Sequence, residues 1–144
     1  MESIHFFYED ITFTLEAPSL TQSWIDSIIS DHELNVEAIN FIFCSDDYLL
    51  DINRTYLDHD YYTDIITFDN REPGTSDIES DIFISIDRIR DNARDMNISF
   101  GRELHRVIIH GILHLLGWND KTDEQKQVMR EKEEACLSLH PNYH

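Results

Sequence analysis

Residues 101–120 read GRELHRVIIHGILHLLGWND. Leu104, Ile108, Leu115 and their apolar neighbours recur at helical spacing, so the pattern predicts a helix over 101–116 with one broad apolar face. Gly117 is placed to end it, because glycine adopts the left-handed conformation at no steric cost. His110 and His114 stand four apart and therefore project from the same side of that helix. A helix of this kind needs another layer to bury its face.

The flanking sequence supplies that layer. IHFFY (4–8), ITFTL (11–15), AINFIFCS (38–45), TDIITF (63–68) and DIFISI (81–86) have strand composition, with Glu9-Asp10 as a turn between the first two. Helices are expected from about Leu20 to Ile29, capped by Ser19 or Thr21, from Ser45-Asp46 through Tyr56, and from Asp87 to Ala93. A last helix spans 122–138, with Thr122 as N-cap and Gln125 as its capping-box partner. DNREPGTSDIES (69–80) lacks periodicity and reads as an exposed loop. The expected architecture is α/β (α+β): one small domain over 1–144, a mixed sheet covered by helices, and a site at the end of the central C-terminal helix.

Composition narrows the function classes. The formal charge is −18 over 144 residues, which argues against a broad nucleic-acid-binding surface. Residues 1–80 hold 18 acidic side chains against Arg54 and Arg71, whereas residues 81–144 hold 11 acidic against nine basic ones. Arg88, Arg90, Arg94, Arg102 and Arg106 lie just ahead of the histidines. They read either as an approach for a phosphate-bearing ligand or as a helix surface laced with mixed charges. Cys44 and Cys136 fit buried thiols in a reducing compartment better than a disulfide. With no basic n-region in MESIHFFYEDITF and no apolar run of ~20 residues, a cytoplasmic location without membrane contact is expected.

Two imidazoles can reach one ion, but zinc takes about four ligands. A third must return from beyond Gly117. Asn119 offers only a neutral amide oxygen, so the Asp120 carboxylate is the better candidate. One Zn²⁺ suits His110, His114 and Asp120, and another divalent transition metal suits them too. The competing reading is a pair of helix histidines satisfied by backbone or carboxylate partners. Residue 111 is Gly where an HExxH peptidase carries its general base, so peptidase chemistry of that type lacks its proton acceptor. Glu103, two turns before His110, reads as a group that orients a ligand or as a surface carboxylate.

The chain resembles the bacterial YbeY-type endoribonucleases, also called rRNA maturation factors. HGILHLLGWND follows the family pattern HGxLHLxGYDH, with matches at His110, Gly111, Leu113, His114, Leu115 and Gly117. INRTYLDHDYYTDIITF follows LNxxYRxxDxPTDVLSF through Asn53, Tyr56, Asp60, Thr63, Asp64 and Phe68, and SDIFIS is similar to GDIxIS. The likeness runs from about residue 45 to 135. It implies a zinc-binding α/β protein that cleaves single-stranded RNA and serves 16S rRNA 3′-end maturation and ribosome quality control. Ribosomal RNA and the small ribosomal subunit are the implied partners.

Two positions depart from the pattern. Asp120 falls on the third histidine and adds a negative charge, which makes the ion a weaker Lewis acid. Leu57 falls on an arginine expected to contact phosphate. His59, Arg54 and Arg106 are the candidates to replace it, Arg106 lying one turn before His110. Attack by metal-activated water and attack by the RNA 2′-hydroxyl both fit. Two other readings compete: a ribosome assembly factor that binds RNA or a basic ribosomal protein with little cleavage, and a zinc metallohydrolase of another class.

Overall fold

The computed structural model describes residues 3–143, so residues 1, 2 and 144 of the expected span lie outside the described residues. The elements run β1 (Ile4–Tyr8), α1 (Pro18–Asp31), β2 (Asn35–Cys44), α2 (Asp46–Leu57), β3 (Ile65–Asp69), β4 (Asp77–Ser85), α3 (Ile86–Met96), α4 (Phe100–Leu115) and α5 (Asp123–Ser138). The sheet has the order β1-β2-β4-β3, with β1, β2 and β4 parallel and β3 antiparallel to β4. It is a mixed sheet in an α/β protein, as the element order implies.

The two faces of the sheet are covered unequally. Ile39, Phe41 and Phe43 of β2 and Ile78, Ile82 and Ile84 of β4 join Trp24, Ile25, Ile28 and Ile29 of α1 and the apolar face of α4 in the main core. Alternation sends Cys44 and Ile66 to the other face, where Leu49 of α2 closes a smaller cluster. Helix α4 therefore lies between the sheet and α5, and its approach to β3 is close. A Cβ on Gly111 would stand 2.9 Å from Ile65 Cδ1 and 3.3 Å from Thr67 Oγ1. Position 111 thus faces the sheet, and a glutamate there would collide with Ile65 and Thr67 from its Cβ onward.

Local signals were read correctly at several ends. Ser45 accepts from the Tyr48 N–H, and Thr122 and Gln125 form a reciprocal capping box; Ser99, which was not singled out, caps α4. Three expectations are corrected. ITFTL is not a strand, because Asp10 takes a left-handed φ of 43° and its carboxylate accepts from the Ser45 N–H and Oγ–H. Helix α1 begins at Pro18 after Ala17, without a side-chain cap from Ser19 or Thr21; Pro18 favours the start by its preset φ. The 69–80 loop is shorter than expected, since β4 starts at Asp77. Pairing of Asn35–Cys44 with Asp77–Ser85 supplies backbone partners that no local pattern records.

Cys44 and Cys136 are free and buried. Burial pushes the Cys44 thiol up to about 12 and the Cys136 thiol to about 11, so both stay protonated and inert at neutral pH. No helix of the described residues is long and apolar enough to cross a membrane.

Candidate metal centre

The end of α4 delivers all three candidate ligands to one point. Gly117 adopts φ 103°, its N–H bonds to the His114 carbonyl, and the Trp118 N–H bonds to that of Leu113. The chain turns back there and carries Asp120 over the helix terminus. His110 Nε2 lies 3.0 Å from His114 Nε2, and Asp120 Oδ2 lies 3.3 Å from the first and 3.5 Å from the second. A zinc tetrahedron with bonds of about 2.0–2.1 Å has edges of about 3.3–3.4 Å. The three donor atoms therefore match one face of such a tetrahedron. Asn119 is exposed and takes no part.

The charge state of the cluster follows from α5. Glu133 is buried, and its Oε2 accepts from His110 Nδ1–H at 2.6 Å. Burial alone would raise the Glu133 carboxyl; the His110 hydrogen bond and the nearby Arg106 charge outweigh it and hold the group below its ordinary value. A carboxylate can only accept, so the proton sits on His110 Nδ1 and the Nε2 lone pair is left facing His114 and Asp120. With the His110 Nε2 lone pair and the Asp120 carboxylate beside His114 Nε2, three ligand atoms stand 3.0–3.5 Å apart, a spacing that one shared cation would satisfy. The donor set fits a metal ion.

Behind Glu133 the network continues inward. Arg106 Nη1 donates to Glu133 Oε1 at 3.0 Å, and its Nε and Nη2 make a bidentate pair with Glu103 at 2.8 and 2.9 Å. Glu103 is fully buried. Its hydrogen bond and charge raise the Arg106 guanidinium further above its usual range, against the opposing effect of burial. Glu103, Arg106, Glu133 and His110 form one chain of charge-assisted bonds ending at a metal-facing nitrogen. Asp64, on the segment leading into β3, feels the same centre: burial pushes its carboxyl up against the pull of Arg106 and His110.

The remaining sequence candidates sit differently. His59 is exposed, stacks on Tyr61 at 5.2 Å and shares a 3.0 Å hydrogen bond between its Nδ1 and the Tyr61 hydroxyl. Neither contact belongs to the metal centre. Leu57 ends α2 and is partly exposed, while Arg54 pairs with Asp60 at 2.5 Å. Arg88, Arg90, Arg94, Arg102 and Arg106 each meet a carboxylate, so the mixed-charge reading describes them. Glu133 escaped the sequence reading. Its signal was present: it shares a helical stripe with Met129, Cys136 and Leu137, all buried, where a carboxylate demands partners.

The family model for the endoribonuclease YbeY matches residues 4–140. The chain belongs to the YbeY family. Named endoribonuclease YbeY, the protein of Cytophaga hutchinsonii is 51% identical over 138 residues, covering 96% of each chain. The relatives of the same name from Parabacteroides distasonis and Flavobacterium johnsoniae are 42% and 44% identical, covering 96% and 94% of this chain and 96% of each relative. The solution structure of TM1509 from Thermotoga maritima superposes with a TM-score of 0.64 at 26% identity, over 94% of this chain and 90% of that one. Membership in the YbeY family and the His110–His114–Asp120 cluster together support a hydrolytic nuclease role.

Proposed function

We propose that this YbeY-family protein is a zinc-dependent endoribonuclease specific for single-stranded RNA, acting in 16S rRNA 3′-end maturation and ribosome quality control. The observation that carries the reading is the triangle of His110 Nε2, His114 Nε2 and Asp120 Oδ2, with edges of 3.0–3.5 Å and an open fourth side. Zn²⁺ suits two nitrogens and a carboxylate, though a harder divalent metal would suit them too. A bound ion would supply Lewis acidity to the phosphodiester and lower the pKa of a coordinated water.

The protein side of the mechanism is positioning. Glu133 keeps the His110 proton on Nδ1, so that Nε2 is free to hold a metal ion. Arg106 and Glu103 hold the Glu133 carboxylate in place and keep it charged. Asp120 would hold a bound ion with a carboxylate and would offset part of its charge, so its Lewis acidity would be weaker than with a third histidine. Arg106 thus acts through Glu133, its own charge being matched by two carboxylates.

The test is cleavage of single-stranded RNA by zinc-loaded protein beside an identically purified His114→Ala variant. Cleavage that disappears in the variant supports the nuclease; equal background in both removes it. Product ends distinguish the attacking group, since a 2′,3′-cyclic phosphate requires the RNA's own 2′-hydroxyl.

A second reading rests on the charge of residues 1–80, with 18 acidic side chains against two basic ones. Such a surface would attract a basic ribosomal protein, making the chain an assembly factor on the small subunit. Salt-sensitive binding of such a protein with no RNA cleavage would select it.

A further inference from the structure

Seven of the eight arginines have a carboxylate oxygen within 4.0 Å; Arg130 is the exception among the described residues. Arg130 lies on α5 four residues after Lys126, so the two side chains share a helix face. Lys126 has no ion pair among the described residues either, and both are exposed. The two cations line one cavity of about 210 Å³ together with His110, Asp120, Arg106 and Glu133. Two of the three metal-facing donors, His110 and Asp120, and two uncommitted cations therefore open onto the same space.

The anionic groups in this cavity are already engaged. Glu133 is shared between His110 and Arg106, and Asp120 faces the two histidines. Asp123 and Glu124, in the first turn of α5, form no ion pair with Lys126 or Arg130 among the described residues. The other unpaired lysines are elsewhere: Lys121 is not part of the cavity wall, and Lys132 lies over the Trp118 ring at 4.5 Å. In a chain of net charge −18, two exposed cations without carboxylate partners beside a metal centre are matched to an anionic ligand.

We infer that Lys126 and Arg130 form a phosphate-binding site for the RNA backbone at the metal centre. The inference rests on the nuclease reading for its ligand, a phosphodiester of single-stranded RNA. Arg130 presents a planar fork of donors to phosphate oxygens, and Lys126 a mobile point charge. Leu57 contributes no charge and Arg54 and Arg106 are already paired, so the α5 cations hold the strand against a predominantly acidic protein.

The experiment measures binding of a labelled 2′-O-methyl oligoribonucleotide to metal-loaded protein across a salt series, for wild type, Lys126→Ala/Arg130→Ala and Lys121→Ala. Metal content of each variant is measured alongside as evidence that the centre is intact. The double variant is expected to retain its metal and to lose about 1.4 from the slope of log K against log salt, two contacts at ~0.7 each on a single strand. Lys121→Ala keeps the wild-type slope, and the exchange Lys126→Arg/Arg130→Lys restores binding. An unchanged slope in the double variant overturns the site, as does an equal loss in Lys121→Ala, which would reflect net charge alone. Wild-type cleavage of unmodified RNA separates the two readings. Binding that depends on Lys126 and Arg130 without cleavage removes the nuclease and keeps the site, whereas cleavage with an unchanged slope does the reverse. Absence of any binding by wild type overturns the site.

Discussion

Glu133 sets the tautomer of His110: its Oε2 accepts the Nδ1 proton at 2.6 Å and turns the Nε2 lone pair toward His114 and Asp120. The bond spans helices α4 and α5 and couples their packing to the ligand geometry. Replacing Glu133 with Gln would remove the charge while keeping the shape. Zinc affinity, measured by competition with a chromophoric chelator, is expected to fall about 10–100-fold.

Arg106 separates two carboxylates, one of them completely buried. Arg106→Ala leaves Glu103 and Glu133 facing each other without a cation, which is expected to cost about 3–5 kcal/mol. Urea denaturation measures the loss. Combining Arg106→Met with Glu103→Met recovers part of it by removing the uncompensated charge, and no recovery would count against this account of the network.

Gly111→Glu recreates the HExxH spacing but not a peptidase. The new side chain would enter the contact with Ile65, Thr67 and Ile82 rather than the metal centre. Overpacking and a buried, unpaired carboxylate together are expected to destabilise by at least about 3 kcal/mol. A lowered Tm with no gain of peptide hydrolysis is the expected result.

His105 gives the stability a pH dependence away from the metal. Burial, and then the neighbouring His140, lower its pKa from 6.5 to about 4. The unfolded chain therefore binds the extra proton first. The stability held by neutral His105 is fully present above pH 6.5, falls as pH drops through the window to about 4, and changes no further below it. The loss is at most about 3–4 kcal/mol at ~1.4 kcal/mol per unit. Comparing wild type with His105→Gln in urea across that window isolates the contribution.

Metal addition raises stability by mass action. At a free zinc concentration about 100-fold above Kd the gain is about 2.7 kcal/mol. The Tm is expected to rise with zinc, fall back with EDTA and stay unmoved in His114→Ala.

The helix carrying His110 and His114 was legible because its apolar period, its glycine stop and the four-residue histidine spacing are all local. The capping box of Thr122 and Gln125 was legible for the same reason. At Asp10 the turn was legible but its partner was not: the left-handed turn serves the start of α2, 35 residues away. The start of β4 at Asp77 was hidden too, since its partner strand is β2. Glu133 was not legible in the run EKEEA, because only packing of α5 on α4 buries it.

By itself the sequence determined that two imidazoles share one helix face and that the chain reverses at Gly117 toward a carboxylate, because backbone geometry converts spacing into direction without any distant partner. Which imidazole nitrogen meets the metal, and which cations remain unpaired beside it, was decided only by the tertiary structure. Both depend on charges brought together from separate helices, and an ion pair or a hydrogen bond exists only once folding has set its distance.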